Sequence, residues 1–280
     1  MACQLKTLLM LLVFLLISNL QHCVNGRPQV PCLFIFGDSL SDNGNNNNLV
    51  TMAKVNYQPY GIDFPAGPTG RFTNGRNIGD IIAELLGFEN YIPAFATAPK
   101  GFEILRGVNY ASGSAGIRNE SGQHLTLYRY GARKVVLYGL GQLGSIPAVL
   151  SLCGIISSSC EDSLNKVVQL FNDRLISLVA DLNKNLWKAK FILVNTTSME
   201  YASSTFQGST VTNASCCELL GFGQFQCSPS GYVCHNRSQY MFWDAVHPTE
   251  AAYEFYMGRA YRAQSPTDAY PFDISYLAKL

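Results

Sequence analysis

The stretch Phe34-Ile-Phe-Gly-Asp-Ser-Leu-Ser-Asp-Asn-Gly-Asn45 decides the fold, because an apolar run passes directly into a polar turn. Residues 32–36 are predicted to form a buried first strand. Gly37 lets the chain turn sharply where this strand ends. Ser39 then lies at the carboxyl end of a strand, where open α/β sheets form their crevices. If a helix follows, its free N–H groups favour developing negative charge in the same crevice. The pattern predicts Ser39 as a nucleophile.

A base for this serine is predicted near the other end of the chain, in Trp243-Asp-Ala-Val-His-Pro248. A serine hydroxyl is a poor nucleophile unless a neighbouring base takes its proton. Asp244 and His247 stand three positions apart before a predicted helix, so the carboxylate can hold one ring nitrogen while the other faces Ser39. Each short motif also occurs by chance, and Asp244 could instead cap the helix. Their combination favours a triad of Ser39, His247 and Asp244.

Strand-like apolar runs alternate with helical patterns along the rest of the chain. Further strands are predicted over residues 108–111, 135–138 and 191–194, and helices over residues 78–86, 164–187 and 250–262. This alternation predicts an α/β fold with a mainly parallel sheet and flanking helices. The Cys-, Ser- and Gly-rich stretch 195–240 is interpreted as a loop region pinned by disulfides.

Composition and the N-terminus predict one secreted domain. Apolar residues make up 48% of the 280, and the net charge of +1 implies no large nucleic-acid footprint. Lys6 precedes an uninterrupted apolar run over residues 8–17, which is too short to span a bilayer but suits a signal peptide. We predict a signal peptide over residues 1–26 and a single domain over 27–280; the alternative is a buried N-terminal helix. No later segment is long enough to be a membrane span.

Cysteines and glycosylation triplets fit an oxidising compartment. Cys153 and Cys160 could close a small loop, and a second local cluster contains Cys216, Cys217, Cys227 and Cys234. With Cys32 the mature chain has seven cysteines, so at least one is free or pairs with another chain. Zinc at the second cluster, with His235 adjacent, is an alternative that the spacing disfavours. Candidate glycosylation sites are Asn119, Asn195, Asn213 and Asn236, of which Asn195 could be buried.

The sequence resembles the plant GDSL esterase/lipase family, a branch of the SGNH hydrolases. The matching blocks are Phe36-Gly-Asp-Ser-Leu-Ser-Asp-Asn-Gly-Asn45, Gly70-Arg-Phe-Thr-Asn-Gly-Arg76, Val108-Asn-Tyr-Ala-Ser-Gly113, Gly131-Ala-Arg-Lys-Val135, Cys216-Cys217 and Phe242-Trp-Asp-Ala-Val-His-Pro-Thr-Glu250. The resemblance implies a flavodoxin-like three-layer sandwich, secretion and hydrolysis of small-molecule or lipid esters. It also implies Ser39 as nucleophile with Asp244 and His247. We expect ester hydrolysis through an acyl-serine intermediate, with no metal or organic cofactor.

The same resemblance indicates a missing block. Family members have three oxyanion donors: the nucleophile's N–H, a glycine N–H of the second block and an asparagine of a Gly-x-Asn-Asp block. Ser39 and Gly113 are assigned as the first two, although the second assignment could shift by one residue. No Gly-x-Asn-Asp occurs in this chain. We therefore predict an internal deletion between about residues 124 and 127, a sheet reduced by one strand, and slower catalysis. The alternative is a secreted, non-catalytic glycoprotein of the same fold.

A different class of function is suggested by Val135-Val-Leu-Tyr-Gly-Leu-Gly-Gln-Leu-Gly144, a Gly-x-Gly-x-x-Gly run after a strand. With Glu161 at a suitable distance, the pattern is typical of a dinucleotide-binding turn. Pro147 and Cys153 lie where its phosphate-binding helix should be, and a secretory signal separates the chain from cytosolic nucleotides. We interpret these glycines as structural.

Overall fold

The computed structural model describes residues 27–99, 101–116, 126–156, 159–203, 211–221 and 223–280. Its strands are β1 (Leu33–Ile35), β2 (Gly107–Asn109), β3 (Lys134–Tyr138), β4 (Lys190–Val194), β5 (Val211–Ser215), β6 (Tyr240–Phe242) and β7 (Ala269–Tyr270). Its α-helices are α1 (Ile78–Leu85), α2 (Thr126–Arg129), α3 (Pro147–Ile156), α4 (Cys160–Asn185), α5 (Thr196–Ser203), α6 (Glu250–Tyr261) and α7 (Ile274–Lys279).

Parallel pairing dominates the strands. β1 pairs with β2, β3 with β4, and β5 with β6, all in parallel, whereas β7 adds to β4 in the antiparallel direction. The predicted α/β class with parallel strands is confirmed. One detail differs from the prediction, because the described strands form three separate sheets rather than one continuous sheet.

Side chains of β3 and β4 alternate between two layers of helices, as successive residues of a strand must. One set packs in a cluster with α1, α6 and α7: Val136, Tyr138, Ile192 and Val194. The other set packs against α4: Val135, Leu137, Phe191 and Leu193. Full burial of each such side chain is worth about 1.5–3 kcal/mol. The result is the helix–sheet–helix arrangement of a three-layer sandwich.

Helix boundaries follow local capping. In α1, the Asn77 side chain accepts the Asp80 N–H at 3.1 Å, and the Asp80 carboxylate accepts the Asn77 N–H at 3.0 Å. This reciprocal pair satisfies donors that a helix start leaves open. α4 begins at Cys160, four residues before the predicted start, and has Glu161 and Asp162 in its first turn. Acidic side chains there complement the helix dipole.

β1 is less buried than predicted. Phe34 is 42% exposed and Phe36 is 43% exposed. Within the described ranges, β1 has a hydrogen-bonded neighbour only on the β2 side, and β3 only on the β4 side. Phe36 stacks on Tyr110 with the ring centroids 5.2 Å apart. The strand that carries the Ser39 turn therefore has an open edge and a partly open face.

Three disulfides join the cysteines that sequence proximity suggested: Cys153–Cys160, Cys216–Cys234 and Cys217–Cys227. Cys32 is free and half-buried. The second cluster therefore holds two disulfides, which leaves none of its four sulfurs as a thiolate for zinc.

The signal peptide predicted for residues 1–26 and the deletion predicted between about 124 and 127 fall wholly or partly outside the described residues. Among the helices that are described, none has the length and apolar character needed to cross a membrane.

Candidate active site

Ser39 lies half-buried in a single turn directly after β1. The Asp38 carbonyl accepts the N–H groups of Ser41 at 3.2 Å and Asp42 at 3.0 Å, and the Asp38 side chain accepts the Leu40 N–H at 3.0 Å. No helix is assigned at this described turn, contrary to the expectation. A Cβ on Gly37 would meet its neighbours at 3.7 Å or more, so this turn does not itself demand glycine.

Hydrogen bonds within the loop between β6 and α6 position Asp244 and His247. The Trp243 N–H donates to the His247 carbonyl at 2.7 Å and closes the loop on itself. Asp244 Oδ1 accepts the backbone N–H groups of Val246 and His247, both at 2.8 Å. The N-cap of α6 is Thr249, so Asp244 does not cap this helix.

The three predicted triad residues meet in space. His247 Nε2 lies 2.8 Å from Ser39 Oγ, although the two residues are 208 positions apart. His247 Nδ1 lies 2.9 Å and 2.8 Å from the two carboxylate oxygens of Asp244. Asp244 is fully buried and His247 is 6% exposed. Three side chains in this arrangement can move a proton from the serine hydroxyl to the imidazole while the carboxylate orients the imidazole ring.

A clamp that the sequence did not predict holds the start of α6. The Asn74 side chain accepts the Glu250 N–H at 2.9 Å. The Arg76 guanidinium donates to Glu250 at 2.5 Å and to Glu84 of α1 at 2.5 Å, and it also contacts Glu254. Because Glu250 comes three residues after His247, this clamp ties the histidine loop to α1.

Gly113, predicted as an oxyanion donor, donates its N–H to Asp42 Oδ2 at 2.8 Å. Asp42 is fully buried and also accepts the N–H groups of Gly44 and Asn45. Burial raises the pKa of Asp42, although these N–H groups and the Arg71 charge act in the opposite direction. The Gly113 N–H is already engaged in this structure, which favours the alternative that the oxyanion assignment shifts by one residue.

The next residue, Ser114, has a φ of +66°, in the left-handed region that favours glycine. Within the described part of the chain, neither the Ser114 N–H nor the Ser39 N–H has a hydrogen-bond acceptor. Ser39 is half-buried and Ser114 is exposed, so both N–H groups can bind water or a ligand.

The polar residues after Ser39 hold the loop that leads to Ser114. Asn45 donates to the carbonyls of Asn109 and Ala111 at 2.8 Å and 2.7 Å. Asn43 donates to the Ile92 carbonyl at 2.6 Å. These amides therefore cross-link separate segments, a stronger role than local turn formation.

The glycine-rich run after β3 has a packing role. A Cβ on Gly144 would lie 2.4 Å from the carbonyl oxygen of Glu161, the residue considered as a ribose ligand. A Cβ on Gly139 would lie 3.0 Å from Asn172 of α4. The helix that follows begins only at Pro147. The glycines thus allow the close approach of α4.

Of the candidate glycosylation sites, Asn213 and Asn236 are exposed. Asn195 is half-buried, and its side chain accepts the Ser198 N–H at 3.3 Å at the start of α5. Asn119 lies outside the described residues.

Comparison with known proteins shows which family the chain is similar to. The family model described as GDSL-like lipase/acylhydrolase matches residues 33–130 and 120–257. The chain is 37% identical to the GDSL esterase/lipase At1g29660 of Arabidopsis thaliana over 354 aligned positions, covering 96% of this chain and 97% of the relative. It is 39% identical to GDSL esterase/lipase At1g29670 of the same plant, covering 91% of this chain and 93% of the relative.

Proposed function

Because the chain belongs to the GDSL-like lipase/acylhydrolase family, we propose that it is a secreted hydrolase of small-molecule or lipid carboxylic esters that acts through Ser39. The observation that carries the proposal is the 2.8 Å contact between Ser39 Oγ and His247 Nε2. Asp244 completes the triad as the group that orients the imidazole.

Each catalytic step follows from these contacts. Ser39 Oγ attacks the ester carbonyl carbon while His247 Nε2 takes the hydroxyl proton. His247 then returns that proton to the departing alcohol, which leaves an acyl-Ser39 ester. A water molecule, deprotonated by His247, attacks this ester; the acyl–Oγ bond breaks, His247 returns the proton to Ser39 Oγ, and the carboxylic acid is released. Asp244 stabilises the imidazolium that forms in each half of the cycle.

The oxyanion of each tetrahedral intermediate needs donors. We assign the Ser39 N–H as one and move the second from Gly113 to the Ser114 N–H, because the former is bonded to Asp42 and the latter has no acceptor among the described residues. The left-handed φ of Ser114 supports this shift of one residue, since a serine adopts that conformation only under constraint.

An internal deletion is part of the proposal. The alignment with the first Arabidopsis relative spans 354 positions, which is 74 more than the 280 residues of this chain. The family model matches in two pieces that meet between residues 120 and 130. The unpaired edges of β1 and β3 in the described part of the chain also support the loss of a strand between them.

We expect this chain to hydrolyse p-nitrophenyl butyrate on the order of a hundred- to a thousandfold more slowly than the Arabidopsis relative At1g29670, because one side-chain oxyanion donor is missing. The measurement is kcat/KM for both proteins under the same conditions. Turnover equal to that of the relative contradicts the impaired oxyanion hole. Turnover no higher than that of Ser39→Ala favours the second candidate function, a non-catalytic glycoprotein, which the missing Gly-x-Asn-Asp block also supports.

Secretion has its own test. The three disulfides support an oxidising compartment. In a plant expression host we expect the chain in the medium, with its N-terminus near residue 27 and glycans on the exposed Asn213 and Asn236 but not on Asn195. N-terminal sequencing and glycopeptide mass spectrometry measure both. An intracellular chain that retains residues 1–26 contradicts this part of the proposal.

A further inference from the structure

Tyr60 makes a contact with the triad that the mechanism above does not use. Its hydroxyl donates to Asp244 Oδ2 at 2.7 Å and accepts the Cys227 N–H at 3.0 Å. Tyr60 is fully buried. Burial first, and the Asp244 carboxylate second, raise the pKa of Tyr60 far above its ordinary value, so the phenol keeps its proton and remains the donor.

We infer that Tyr60 is a positioning residue that acts through Asp244, because its hydroxyl fixes the carboxylate and limits the negative charge that the carboxylate presents to His247. The inference rests on the proposed function, in which Asp244 orients the imidazole. It adds a fourth group to the triad of Ser39, His247 and Asp244, and it connects the triad to the disulfide-bonded Cys227.

The hydrogen bonds of Asp244 show why this donor matters. Oδ1 accepts the N–H groups of Val246 and His247 and also lies 2.9 Å from His247 Nδ1. Oδ2 contacts only Tyr60 and His247 Nδ1 within the described ranges. Since Asp244 is fully buried, water has no access to replace the phenol. Without Tyr60, Oδ2 keeps His247 as its one described partner.

The Tyr60 ring is held on several sides. Tyr57 and Trp243 contact it edge-on, with centroid distances of 5.5 Å and 6.4 Å. Phe72 contacts the Tyr60 ring and also packs 4.9 Å from the His247 ring. A ring fixed in this way offers its hydroxyl in one place, which is the requirement for orienting a carboxylate.

The test is Tyr60→Phe, with Tyr57→Phe as the matched control. Tyr57→Phe removes the same atom, a phenol oxygen. In the parent chain the Tyr57 hydroxyl donates to the Cys227 carbonyl at 3.1 Å, but it donates no hydrogen bond to Asp244. We expect Tyr60→Phe to lower kcat about tenfold with little change in KM. The acidic limb of its kcat/KM profile should move to higher pH, because a more negative carboxylate retains the imidazolium proton. Tyr57→Phe should leave that limb in place.

A second readout does not need turnover. The Nδ1–H proton of His247, identified by its loss in His247→Gln, should move downfield in the NMR spectrum of Tyr60→Phe because its bond to Asp244 strengthens. An unchanged Nδ1–H frequency, or the same shift in Tyr57→Phe, overturns the inference. If the parent chain hydrolyses no ester, the proposed function fails while this signal still decides the role of Tyr60.

Should Tyr60→Phe not fold, global 3-fluorotyrosine labelling replaces it. The more acidic phenol donates more strongly to Asp244, so the His247 Nδ1–H signal should move upfield. A signal that does not move upfield overturns the inference.

Discussion

Replacing Ser39 by alanine is expected to lower kcat by on the order of 10⁴- to 10⁶-fold, to a residual rate that depends only on substrate binding and the oxyanion donors. The substitution removes the only oxygen that His247 Nε2 contacts at 2.8 Å in the described structure. It removes one atom from a half-buried turn, so folding should be preserved. Hydrolysis of p-nitrophenyl butyrate measures the loss, and circular dichroism checks the fold.

Ser41→Ala is the matched control for this substitution. It makes the same change two residues further along the same turn, at a side chain that makes no contact with His247 in the described structure. Its activity should stay close to that of the parent chain. Hydrolysis that persists in Ser39→Ala at the parental rate places the chemistry at another residue.

Asp268→Asn is expected to lower the free energy of unfolding by about 3–5 kcal/mol. Asp268 is fully buried and receives two hydrogen bonds from Arg259 of α6, at 2.6 Å and 3.0 Å. The variant leaves the nearly buried guanidinium without a compensating charge, which is the costly way to break such a pair. Urea unfolding at pH 7 measures the difference. Asp181→Asn, at an exposed position of α4, is the control and should change stability little.

The effect of Asp268 also has a defined pH dependence. Burial by itself raises the pKa of Asp268. The Arg259 guanidinium and the N–H groups of Ser265 and Gln264 outweigh burial and hold this pKa below its ordinary value. A carboxyl whose pKa is lowered by folding stabilises the folded state at pH values above its ordinary pKa, which is near 4. This stabilisation is lost as the pH falls through the pKa of the folded state. The stability gap between the parent chain and Asp268→Asn should therefore narrow below pH 4. A gap that stays constant or widens there contradicts the assignment.

The sequence predicts that Ser39, Asp244 and His247 act together, because the two motifs that contain them are short and local, and the structure places the three side chains within hydrogen-bond distance. Ser39 is marked by the strand and turn around it, and Asp244 and His247 by their spacing of three. The position of each residue in its own loop follows from neighbouring residues, whereas the approach of the two loops depends on the tertiary fold, because β1 and β6 belong to different sheets.

Contacts between distant segments could not be predicted in the same way. Tyr60 reaches Asp244 across 184 positions, and Asn74 reaches Glu250 across 176. Nothing in the local pattern around Tyr60 or Asn74 distinguishes them from ordinary polar or aromatic residues. Only its resemblance to a family distinguishes the block that contains Asn74 and Arg76.

Two local expectations differ from what the structure favours, for physical reasons. Gly113 is predicted as an oxyanion donor, but the buried Asp42 carboxylate accepts its N–H, which favours the alternative assignment one residue further along. Phe34 is predicted to be buried because apolar runs usually are, yet it is 42% exposed because its face of β1 is only partly covered. Sequence periodicity indicates which side chains are apolar, not whether a covering element is present.

Mapping the residue that a fluorophosphonate modifies tests the central claim most directly. After reaction with the mature chain and proteolysis, mass spectrometry should find the phosphonyl adduct on Ser39, and His247→Ala should suppress it. An adduct on a different residue, or labelling of Ser39 that is unaffected by His247→Ala, would contradict activation of Ser39 by His247.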